Sequence, residues 1–158
     1  MLFRTVRWLY KLDADFTWET HRYPSLDHDF RFYDSDDHLR LTIDKAGVLT
    51  VTKDYAWNGC SPKYALFDIL LGTPEGATSH KANWHGKTYY ASCVHDALYQ
   101  FLESGLPLTR KEADHVFLNL LQQYEFKLAR AYWLAVRCFG RFVHFAKKRV
   151  RKWDGSCA

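Results

Sequence analysis

The sequence predicts an α+β domain, a small N-terminal antiparallel β-sheet packed against a C-terminal three-helix segment with a helical hairpin at its centre. Three observations predict it. Apolar and polar residues alternate between Phe30 and Lys53, the two-residue period of a half-buried strand. From Thr88 onward the apolar spacing becomes helical. Thr109-Arg110-Lys111-Glu112 is a capping box, in which the Thr oxygen caps a helix start and the Glu reaches back.

Each element follows in order. Phe30-Arg31-Phe32-Tyr33 alternates, and Asp34 to Asp37 supplies a polar turn. Leu39, Leu41 and Ile43 alternate with Arg40, Thr42 and Asp44. Lys45-Ala46-Gly47 is a short hairpin loop before Val48, Leu49 and Val51. Residues 58–86 hold four of the eight glycines and read as loop, interrupted by a short helix around Tyr64 to Leu71. A helix over Thr88–Glu103 stops at Ser104-Gly105. A second runs from Thr109 to about Tyr124, with Val116, Phe117, Leu120 and Leu121 at helical spacing, and a third starts near Lys127.

The chain has 158 residues, enough for one domain that buries about 68–70% of its unfolded surface and too few for two comfortable cores. The expected organisation is a single domain over 1–158. Within it, 30–53 is sheet, 54–87 loop region, 88–147 helices and 148–158 a basic flexible tail. With 47% hydrophobic and 25% charged residues, disordered, collagenous and disulfide-miniprotein classes are excluded. None of Cys60, Cys93, Cys138 and Cys157 forms a Cys-x-x-Cys pair, which argues against structural zinc and for a reducing compartment. Residues 1–12 mix Arg4, Arg7 and Lys11 with apolar residues and make a poor secretory signal. No stretch reaches the ~20 apolar residues of a membrane span. The expected location is a reducing cytoplasm.

Net charge is +4, and its cations crowd at one end: Arg141, Lys147, Lys148, Arg149, Arg151 and Lys152 precede the next acid, Asp154. Lys147, Lys148, Arg149 and Arg151 are the candidates for binding an anionic surface. The same residues also read as a solvated helix end complementing the dipole.

The best candidate for chemistry is Ser92-Cys93-Val94-His95-Asp96-Ala97-Leu98-Tyr99. His95 and Tyr99 are four apart and share a helix face, with Asp96 about a quarter turn away. Asp114 lies in the early turns of the next helix, which a short connection makes an antiparallel neighbour. His95 is nine residues before Ser104, roughly 13 Å of helix, and Asp114 five after Thr109, roughly 7–8 Å. The offset is about one turn. If they meet, Asp114 fixes the imidazole tautomer and His95 takes a proton from water. Asp96 is then free to hold a hard cation with backbone carbonyls. The competing reading is a buried His and Asp that satisfy each other, with Tyr99 in the core. His80 and His85 read either as a metal pair or as exposed loop histidines, and Cys93 as a small buried hydrophobe rather than a nucleophile.

Four motifs in order carry a resemblance: Trp57-Asn58-Gly59-Cys60-Ser61-Pro62, Ala91 to Tyr99, Thr109 to Phe117, and Ala135-Val136-Arg137-Cys138-Phe139-Gly140. Over roughly Phe30 to Gly140 the chain resembles an uncharacterised family of phages and prophages, domain of unknown function 1353. That resemblance implies a viral or proviral origin. The family's Asp-Gly-Ala-Ser element stands here as Asn58-Gly59-Cys60-Ser61, an amide in place of a carboxylate.

A shorter resemblance points to chemistry. His-Asp-x-x-Tyr on one helix with an Asp on the next is similar to secreted calcium-dependent phospholipase A(2). It implies His95 as the water-activating base, Tyr99 and Asp114 steadying it, and Asp96 holding calcium with Asn58 and Gly59. Departures are Ala91, Ser92 and Leu98 at the family's cysteines, and no glycine-rich calcium loop. Two functions follow. One is calcium-assisted lipid ester hydrolysis at an anionic membrane. The other is a non-catalytic virion component or host-interaction accessory protein, bound to other phage structural proteins, in which the His95/Asp114 pair is structural. Nucleic acid is a weaker partner expectation, because no known module accompanies the basic end.

Overall fold

Alternation makes the central strands. In β1 (Tyr10–Lys11), β2 (Phe16–Glu19), β3 (Phe30–Tyr33), β4 (Leu39–Ile43) and β5 (Val48–Val51), every second side chain turns inward. Phe32, Leu41, Ile43, Leu49 and Val51 are buried. The computed structural model describes residues 10–20, 26–59, 63–66, 69–72 and 76–144. Strands β2, β5, β4 and β3 form one antiparallel sheet in that order. Its β4–β5 turn closes through Gly47 at φ +80°, where Thr20 Oγ1 donates to the Gly47 carbonyl at 2.6 Å. The β3–β4 turn is held by Asp34, whose Oδ1 accepts from the Asp36 and His38 N–H groups and whose Oδ2 accepts from Arg40 Nε at 2.6 Å.

The loop region expected over 54–87 is not all loop. It holds β6 (Ala56–Trp57), which pairs with β1, and an antiparallel hairpin of β7 (Lys63–Leu66) and β8 (Ile69–Gly72). The short helix expected around Tyr64 to Leu71 is therefore corrected to a hairpin. Two apolar runs of this length fit either period, and only cross-strand pairing, Tyr64 with Leu71 and Leu66 with Ile69, decides between them.

Three helices follow: α1 (Tyr89–Phe101), α2 (Arg110–Gln123) and α3 (Ala129–His144). Their apolar stripes meet the sheet and one another. Val94, Ala97, Leu98 and Phe101 of α1 join Val116, Leu120 and Leu121 of α2 in the same core as Leu41, Leu49 and Val51. The capping box is present, with Thr109 Oγ1 accepting from the Glu112 N–H and Glu112 Oε2 accepting from the Thr109 N–H at 2.7 Å. Replacing that cap, Thr109→Ala, is expected to lower stability by about 1 kcal/mol in urea denaturation. An unchanged midpoint would show that packing alone sets the α2 start.

Candidate functional site

The three helices converge on one buried carboxylate. Asp114 in the second turn of α2 is 0% exposed and receives three donors. His95 Nε2 lies 2.9 Å from Oδ1, the Tyr99 hydroxyl donates to Oδ1 at 2.6 Å, and Arg137 donates to Oδ2 at 2.9 Å. His95 and Tyr99 come from one face of α1, as their spacing of four requires, and Arg137 comes from α3. The one-turn offset between His95 and Asp114 closes because α1 ends at Phe101, not Glu103, so His95 sits roughly 9 Å from its helix end.

Because a carboxylate only accepts, the bond assigns a proton to Nε2, and in the neutral imidazole Nδ1 is then the acceptor. No hydrogen bond occupies Nδ1 among the described residues. The imidazole is wedged between Tyr99 and Phe117, with ring centroids at 4.2 and 4.8 Å, and the residue is 8% exposed. Burial alone would raise the Asp114 pKa. Hydrogen bonds from His95 and Tyr99, with the guanidinium of Arg137, outweigh it and hold the carboxyl below the usual range. Burial, then the bond to Asp114, pushes the Tyr99 phenol well above its ordinary value.

Two arginines belong to this cluster that spacing alone did not assign. Arg110 Nε donates to the Tyr99 hydroxyl at 3.0 Å, and its Nη2 donates to the Arg137 carbonyl at 2.9 Å. Arg110 is four residues before Asp114 on the same helix face, which is a usable signal. Arg137 is the one charge in the stretch Ala131 to Phe139, which is a weaker one.

The other expected site residues fall elsewhere. Asp96 follows Ser92 by four residues on α1, and Ser92 Oγ accepts from Trp57 Nε1 at 3.1 Å, so Asp96 shares the helix face that Trp57 meets. The charge of Asp96 acts on Tyr55 and Cys93. Cys93 is 0% exposed and burial pushes its thiol well up, so it is no nucleophile. His85 stacks on Tyr89 with centroids 3.8 Å apart, and His80 lies beside Trp84. Among the described residues, Asp34, Asp36 and His38 form the one cluster of three side chains with metal-binding groups, and Arg40 already pairs with it. Lys147, Lys148, Arg149 and Arg151, with Cys60, lie outside the described residues. A groove of about 910 Å³ runs between β2 and α2 past Trp18, Lys111, His115 and Asn119, away from His95. No helix among the described residues is long and apolar enough to cross a membrane.

Residues 76–136 match the family model described as "Protein of unknown function (DUF1353)". The match covers the loop before α1, α1, α2 and the first half of α3. It is shorter than the Phe30 to Gly140 span of the resemblance, and Trp57 and Arg137 lie outside it. No curated protein matches the chain, and no solved structure matches it.

Proposed function

We propose that this chain is a phage-type hydrolase in which His95 activates water for attack on a lipid ester. One observation carries the reading. Asp114 accepts the Nε2–H of His95, so in the neutral imidazole Nδ1 is the basic nitrogen, and Tyr99 is bound to the same carboxylate oxygen. In the reaction, Nδ1 takes a proton from water as its oxygen adds to the ester carbonyl. Asp114 stabilises the imidazolium that forms, and the proton passes to the leaving alcohol. Asp96, with the Asn58 amide and the Gly59 carbonyl, is the oxygen set that would hold calcium. When bound, the cation would stabilise the negative charge developing on the carbonyl oxygen.

The test is release of fatty acid from mixed anionic vesicles with calcium. Losing a positioned base costs at least about 10²-fold, so His95→Gln should abolish release, as should chelation of calcium. Gln keeps a donor toward Asp114, so the melting temperature should hardly move. If wild-type protein releases nothing and His95→Gln mainly lowers stability, the hydrolase reading fails.

A second reading has its own observation. Arg137 occupies the second oxygen of Asp114, so the cluster ties α1, α2 and α3 together without needing water. On that reading the chain is a virion component or accessory protein, and the pair is a structural clasp.

A further inference from the structure

Trp84 is 75% exposed and sits at φ +64°, a left-handed conformation that large side chains rarely adopt. Asn83 before it is left-handed too, at φ +50°. Packing does not compensate the strain, since most of the indole lies in water. The loop nevertheless holds it firmly. After a single 3-10 turn at His80–Ala82, the Trp84 N–H donates to the Ser79 carbonyl at 2.9 Å and the Ser79 N–H donates to the His85 carbonyl at 3.0 Å. Asn83 Nδ2 donates to the Tyr90 hydroxyl at 2.9 Å.

The loop is fastened to the corner between α2 and α3. Lys81 Nζ meets Glu125 Oε1 at 2.6 Å, and Lys87 Nζ donates to the Glu125 carbonyl at 3.2 Å. That corner presents Leu128, 57% exposed. Residues 79–88 and 125–130 carry Lys81, Lys87, Lys127 and Arg130 against Glu125, so four cations less one acid leave +3. This end of the molecule thus joins a pinned, exposed indole, an exposed aliphatic side chain and a net positive charge.

We infer that this end docks on an anionic lipid bilayer, with Trp84 and Leu128 at the boundary of headgroups and acyl chains and the cations on lipid phosphates. Indole rings favour that boundary, and cations near an anionic leaflet add to the attraction. Leu128 favours lipid over nucleic acid, because an aliphatic side chain gives a base nothing to stack on. The inference deepens the lipid reading of the site by naming the face that meets the surface, and rests on it for the choice of surface.

Sedimentation with phosphatidylcholine vesicles, with and without phosphatidylglycerol, tests it. Trp84→Gly should raise the melting temperature, because glycine adopts φ +64° without strain, yet weaken binding to the anionic vesicles about tenfold. Leu128→Asn should weaken binding as well, and added salt should weaken binding of the wild type. The inference is overturned if the wild type does not bind, or if both variants bind like it. It is equally overturned if only neutralising Lys147, Lys148, Arg149 and Arg151 matters, or if Trp84→Gly loses a single-stranded oligonucleotide instead. Binding and fatty-acid release are read separately. Trp84-dependent binding without release sinks the hydrolase alone, and release with binding indifferent to Trp84 sinks the docking face alone.

Discussion

Asp114→Ala should remove about 3 kcal/mol or more of stability, a large share of the roughly 5–15 kcal/mol that holds a domain together. The substitution takes away the common acceptor of His95, Tyr99 and Arg137. Breaking a buried pair is costly because the remaining charge stays desolvated. Arg137 is the moderating element. Its side chain is 33% exposed and can turn part of its guanidinium to water, which places the loss near the lower end of the range for buried pairs. Acid should expose the same interaction. The Asp114 pKa is lower in the folded chain than in the unfolded one, so the unfolded chain binds the extra proton. The contribution is then complete above the ordinary aspartate value of about 3.9 and is lost as pH falls through the lower folded value. Urea denaturation at pH 7 and at steps below pH 4 measures both effects, with Asp114→Asn as the reference lacking this titration. A loss below 1 kcal/mol at pH 7 would refute the clasp, and equal acid sensitivity in Asp114→Asn would assign the titration to other carboxyls.

Trp57→Ala is expected to cost about 3–5 kcal/mol, the range for emptying a buried aromatic site. Trp57 is 0% exposed and is among the largest fully buried side chains of the described residues. Its ring meets Tyr89 edge-on at 4.8 Å and Tyr10 at 5.6 Å, and Nε1 donates to Ser92 on α1. It therefore joins β1, β6 and α1, and a cavity there has rigid walls on several sides. Trp57→Phe keeps most of the apolar volume and gives up the bond to Ser92, so its loss should be roughly 1–2 kcal/mol. Chemical denaturation of the pair separates the two contributions. If Trp57→Ala costs no more than Trp57→Phe, the site collapses on itself and the ring is not what fastens β6 to the helix.

The sequence by itself determined what short-range rules govern. Alternation from Leu39 to Val51 produced β4 and β5, and Thr109 with Glu112 marked the start of α2, because side-chain direction and end-capping depend on neighbours a few residues away. The His95 and Tyr99 half of the cluster belongs to the same class, since a spacing of four on a helix leaves one outcome. Tertiary structure decided the rest. β1 and β2 exist because Tyr10 meets Trp57 and Phe16 meets Val51, and the β7–β8 hairpin exists because its two apolar runs pair, none of which a local pattern dictates. The exit of α1 at Phe101 set the level at which His95 meets Asp114, and the packing of α3 brought Arg137 to the second carboxylate oxygen. Those outcomes rest on contacts between residues far apart in the chain, whose free energy depends on what the folded core places beside them.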